Sequence, residues 1–187
     1  MTGIVLAGVL WLAVAVAAGA AGAVQALRPP APPLVVAALT LLVLLATAAV
    51  VPLRRWARAV DPRTLVALHV TRFFAGTYFL VLYREGVLPY AFAVPGGIGD
   101  ALVAVLALGL LAGVSPLTAR GQRLYAVWNV LGLLDILYVV ATAARLGGAD
   151  PVSMQALLRL PLSLLPTFLV PLIIASHIIL AVRLAAR

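Results

Sequence analysis

Five polar side chains stand out in a chain that offers little else to do chemistry with: His69, Arg72, Asn129, Asp135 and His177. His69 and Arg72 lie one helical turn apart in "LHVTRFF", residues 68 to 74, and Asn129, Gly132 and Asp135 follow at spacings of three. An imidazole can exchange a proton or ligate a metal, and a guanidinium can hold a carboxylate in its fork. The chain has only two His, five Asp or Glu and no Cys, so thiol nucleophiles, disulfides and thiolate metal sites are excluded.

These residues sit in segments made for lipid. The 187 residues are 65% hydrophobic and 10% charged, and apolar runs repeatedly exceed the length of a soluble helix, so an integral membrane protein is expected. The fold class is an all-α membrane bundle in one domain, residues 1–187. Six spanning helices are predicted over about 4–27, 34–53, 64–88, 98–114, 123–145 and 160–184, each near the roughly 20 residues a bilayer needs. Connections rich in Pro, Gly and Asp, such as "RPPAPP" and "GGADPVSMQA", separate them. The first stretch is kept as a helix, because it lacks the basic flank of a signal peptide.

The 13 basic residues are all Arg and flank apolar runs, which reads as topology and excludes nucleic acid as a partner. With the N-terminus in the cytoplasm, Arg54, Arg55, Arg58, Arg63, Arg120, Arg123, Arg183 and Arg187 fall inside. Arg28, Arg84, Arg145 and Arg159 fall outside. Both termini are therefore expected in the cytoplasm, and the location is a bacterial inner (cytoplasmic) membrane crossed several times.

A rise of about 1.5 Å per residue converts position into depth. His69, Asn129 and His177 come out at roughly 8 to 10 Å from the cytoplasmic boundary, Arg72 at roughly 12 Å and Asp135 at roughly 18 Å. The first three share a level, and Arg72 with Asp135 forms an expected buried pair. Glu85 and Asp100 are placed near the outer boundary as outer-face acids. His69, Arg72, Gly76, Phe79 and Tyr83 follow one helix face, and glycines among polar residues let a backbone or a flat group approach.

An ionised side chain at mid-membrane costs at least about 2.5 kcal/mol, so Arg72 and Asp135 need each other, water or a ligand. A purely structural pair meets that need. The main functional expectation is a polar pocket, opening toward the cytoplasm, that binds or moves a small ion, proton or solute through His69, Arg72, Asn129, Asp135 and His177. The first alternative is electron transfer through one haem b, with His69 and His177 as axial ligands and Arg72 on a propionate. A non-haem metal is not expected, since two His lack further ligands at their depth. A non-catalytic subunit or assembly factor of a membrane complex is the second alternative, with lipid and a homo-oligomer or membrane-complex partner around it.

In "LPLSLLPTFLVP", Pro161, Pro166 and Pro171 recur every five residues and free backbone carbonyls, so a bent or partly unwound sixth helix is expected. "GIGD", Gly97 to Asp100, has the form of the intramembrane aspartyl protease signature, but Asp135 follows it where that family's other Asp precedes it. The depths also separate the two carboxylates, so no catalytic residues are assigned. "PGGIGD" is read as a turn opening the fourth helix. "GLLAG" is a GxxxG pattern, and Trp11, Trp56, Trp128, Tyr83, Tyr90 and Tyr125 are read as interfacial anchors.

The segments "LHVTRFFAGTYFLVLYREGVLPYAFAVPGGIGD", "WNVLGLLDILYVV" and "LPTFLVPLIIASH" together resemble a group of small, uncharacterised bacterial polytopic membrane proteins. The resemblance covers residues 68–177. It implies a multi-spanning bundle and no particular activity.

Overall fold

A computed structural model describes residues 2–186, so Arg187 of the arginine count lies outside the described residues. All regular structure in them is helical, with six helices long and apolar enough to cross a membrane, as in a multi-pass membrane protein. The elements are α1 (Thr2–Ala20), α2 (Ala31–Ala49), α3 (Val51–Ala59), α4 (Pro62–Leu68), α5 (Thr71–Arg84), α6 (Tyr90–Gly113), α7 (Ala119–Ala149) and α8 (Val170–Ala185). A 3-10 turn covers Gln155–Leu158, and a π-turn at Leu165–Leu169 leads into α8.

Local signals account for the ends. Asp61 caps α4 by accepting from the Arg63 N–H at 2.8 Å, with Pro62 in the first turn where no N–H is needed. Thr118 caps α7 in the same way, accepting from Gly121 N–H at 3.0 Å. The span expected over 64–88 is broken at His69 and Val70. There the bonds tighten to i→i+3, and the Thr71 hydroxyl donates to the Leu68 carbonyl at 2.7 Å. That break separates α4 from α5, whose second residue is Arg72.

Two spans depart from their expected bounds. The fourth span begins at Tyr90 and not at 98, with Pro95 inside it, so "PGGIGD" is helix interior rather than a turn. A membrane helix tolerates an early Pro because few backbone bonds are lost there and neighbouring helices shield the rest. The sixth span is partly unwound, as expected: the chain turns through 160–163, passes the π-turn and continues as α8 from Val170. Pro171 cannot donate to the Thr167 carbonyl, and that carbonyl accepts the Trp11 indole N–H from α1 at 2.9 Å.

The bundle is built outward from α6, which packs between α5 and α7; α8 closes against α7 and α4, α2 lies on α8, and α1 touches the π-turn. The α5–α6 contact is close because Gly76 and Gly97 face each other. A Cβ on Gly76 would stand 2.5 Å from the Gly97 carbonyl oxygen. One apolar cluster centres on Phe79, Phe92, Ile136 and Ile173, and a second on Val66, Ala107, Tyr125 and Leu180. The connections divide the bundle into an arginine-rich end, with residues 50–61 and 114–118, and a proline-rich end, with residues 21–33, 85–89 and 150–164.

Candidate functional site: a charge cluster, an imidazole pair and a cavity

Arg72 is the largest side chain buried completely in the bundle, 1% exposed. Its Nε donates to Asp100 Oδ1 at 2.6 Å, Nη1 donates to the Gly132 carbonyl at 3.0 Å, and Nη2 donates to Asp135 Oδ2. One guanidinium thus ties α5 to α6 and α7, using the planar fork that Lys lacks. Gly99 makes room: a Cβ there would overlap Asp135 Oδ1.

Asp100 is therefore not an outer-face acid. Ten residues into a helix that starts at Tyr90, it lies deep in the bundle with its side chain 4% exposed. Depth counted from a helix start at 98 misplaced it by several residues. Glu85 does sit at the proline-rich end, exposed at the C-cap of α5. Tyr83 leaves the face assigned to it, since the buried positions of α5 are Arg72, Gly76, Phe79 and Leu82.

The imidazoles form a second cluster toward the arginine-rich end. His69 and His177 lie ring to ring, with centres 4.2 Å apart and planes at 50°, and Trp128 packs on both. Asn129 Nδ2 donates to the His177 carbonyl at 3.1 Å, so its Oδ1 is the acceptor for His177 Nδ1 at 2.8 Å. That arrangement assigns the proton of the neutral His177 ring to Nδ1. Ser176 Oγ spends its hydrogen on the Ile173 carbonyl at 2.8 Å, so His69 Nε2 donates to it at 3.0 Å. His69 Nδ1 remains a buried lone pair without a hydrogen-bond partner among the described residues, and His177 Nε2 lies against the Gly132 backbone without a well-formed bond. Gly132 seats the His177 ring, since a Cβ there would come within 2.7 Å of its Cε1.

Sequence reasoning missed Ser176 and misread Trp128. The indole is buried, donating to the Val103 carbonyl at 3.1 Å, and Tyr125 is buried too, so neither is an interfacial anchor. A signal was present: Tyr125, Trp128, Gly132 and Asp135 follow the same spacings of three and four that mark the polar face.

A cavity of about 280 Å³ opens above the charge cluster. Its deep end is lined by Arg72 and Asp100, its walls by apolar side chains including Phe79, Phe92, Val139 and Leu169, and its rim by residues 28–33 and 147–152. It reaches the proline-rich end, opposite the end to which the sequence expectation assigns the pocket opening. Asp135 does not line it and instead is 19% exposed on the α6–α7 flank.

The imidazole pair does not fit a haem. Axial imidazoles stand on opposite faces of the macrocycle, with metal–nitrogen bonds of about 2 Å holding ring centres roughly 6 Å apart; here the rings touch each other. Among the described residues, no three His, Cys, Asp or Glu side chains converge as metal ligands. Asp100 and Asp135 are not kept apart by depth, which an intramembrane aspartyl protease would forbid, but meet at one residue. That residue is Arg72, which occupies the place between the carboxylates where a shared water would have to act.

No curated protein and no solved structure matches the chain. One family does match, over residues 29–185, a segment that holds α2 to α8 with both polar clusters and leaves α1 outside. The chain belongs to that family, described as a domain of unknown function, DUF8737.

Proposed function

We propose that the protein binds a proton at the Arg72–Asp100–Asp135 cluster and passes it across a bacterial inner membrane, with both termini in the cytoplasm. The carrying observation is the charge count: two carboxylates share one guanidinium, so with both ionised the cluster holds one negative charge too many. In a low-dielectric interior that excess favours uptake of one proton or small cation. Asp100 lines the cavity, whereas Asp135 does not line it and keeps a side chain 19% exposed. The adjoining His69–His177 pair adds two unprotonated ring nitrogens, His69 Nδ1 and His177 Nε2, on the side of the arginine-rich end. The orientation rests on Arg54, Arg55, Arg58, Arg63, Arg120, Arg123 and Arg183 at that end.

Proteoliposomes carrying a pH-sensitive dye test the proposal. Under an imposed potential the protein is expected to dissipate a pH difference, and Asp135→Asn and His177→Ala to slow it at least tenfold. Wild-type vesicles leaking no faster than empty ones would overturn it.

The partial exposure of Asp135, 19%, also favours a second reading, a subunit whose partner helix covers that carboxylate. Recovery of one stoichiometric membrane partner on gentle extraction, lost in Asp135→Leu, is its expected result. Recovery of the bare chain alone would count against it.

A further inference from the structure

The cavity is built for something other than a hydrated ion. Its walls are mostly apolar, with Gln25, Arg28 and Gln155 the polar lining apart from Arg72 and Asp100, so an ion entering it would lose its water for few partners. Its volume, about 280 Å³, falls just below the roughly 300–1,000 Å³ of small-molecule sites. The shape is elongated, since α7 lines it from Ile136 to Gly148, roughly 18 Å at 1.5 Å per residue. A mostly apolar cavity of that length and volume suits one hydrocarbon chain.

Its deep end is polar and incompletely used. Asp100 Oδ1 is taken by Arg72, but Asp100 Oδ2 accepts no hydrogen bond among the described residues, and the residue is 3% exposed and lines the cavity. Arg72 also lines the cavity and spends three of its five N–H groups, on Asp100, Gly132 and Asp135. A free acceptor and spare donors therefore sit together at the end of a mostly apolar cavity. A group with one O–H to give and one oxygen lone pair to offer satisfies both.

We infer that the cavity binds a single-chain amphiphile whose terminal hydroxyl or carboxylic acid donates to Asp100 Oδ2 and accepts from Arg72. The chain runs past Phe79, Phe92 and Val139 to the rim at residues 28–33. This goes beyond the proton reading: it uses the same Asp100 and Arg72 but requires no flux, and binding is measured at equilibrium.

The test uses the full chain in lipid nanodiscs and three probes of equal chain length: 1-dodecanol, dodecanoic acid and dodecyl methyl ether, which has no O–H. Native mass spectrometry reads the number bound. One molecule of the alcohol or the acid per chain is expected, with the ether at least tenfold weaker; whichever of the two binds names the end group. Ala143→Phe, and Ala144→Leu should the first variant fail to fold, fill the cavity from its wall and are expected to abolish binding while the thermal melt is kept. Equal binding of ether and alcohol, unchanged binding in a folded plugged variant, or no binding of either O–H probe would overturn the inference. Flux without binding removes this inference alone, and binding without flux removes the proton reading alone.

Discussion

Arg72 on α5 donates from Nε to Asp100 on α6 at 2.6 Å while its Nη2 reaches Asp135 on α7, so a single guanidinium serves two carboxylates from two other helices. Removing any member changes the charge of a buried cluster, and the cost depends on what is left unpaired.

Arg72→Met strands two carboxylates in the interior and is expected to destabilise the bundle by about 3–5 kcal/mol. Adding Asp100→Asn and Asp135→Asn to it should recover more than half of that loss, because no net charge remains to bury. Denaturant unfolding in mixed micelles measures both. Equal stability of the single and triple variants would contradict the account.

Glycines at close approaches should separate sharply from glycines in open space. Gly76→Ala drives a Cβ to 2.5 Å from the Gly97 carbonyl oxygen and 2.9 Å from Asp100 Cβ, at an expected cost of about 1–3 kcal/mol. Gly109 has nothing within 4 Å, so Gly109→Ala should be neutral or stabilise by up to about 1 kcal/mol through helix propensity. Thermal melts of the two variants decide it.

Asn129→Leu removes two bonds that cross from α7 to α8, and Ser176→Ala removes one bond from α8 to His69 at the end of α4 and one local bond. With interhelical bonds in membranes averaging about 0.6 kcal/mol, Asn129→Leu should cost roughly 1–2 kcal/mol and Ser176→Ala about half as much. In wild type, nitrogen-15 NMR of the neutral rings is expected to find the proton on Nδ1 of His177 and on Nε2 of His69. The same tautomer at both would show that the partners have been misassigned.

Ring centres only 4.2 Å apart leave no place for a macrocycle between His69 and His177. Protein expressed with ample haem is expected to show no Soret band after purification, before or after dithionite. A band that disappears in His177→Ala would refute the packing described for the pair.

The amino-acid sequence by itself determined the helical spans, because six apolar runs of spanning length leave a lipid-solvated backbone no other way to satisfy its hydrogen bonds. It also marked the break in the last span, since three prolines cannot donate to the turn before them. Counting residues along each helix set His69, Asn129 and His177 at one height, a local property of the rise, and in the fold those three lie in contact. Only the tertiary structure decided the place of Asp100. "PGGIGD" has the composition of a turn, and burial against α5 keeps it helical, so the carboxylate moves from a boundary to the centre and meets Arg72. The cavity was equally unreadable, because a void belongs to the space between α2, α5, α7 and the π-turn and to none of their sequences. Side-chain type and periodicity are written along one chain, whereas partner choice and empty volume depend on how several helices pack at once.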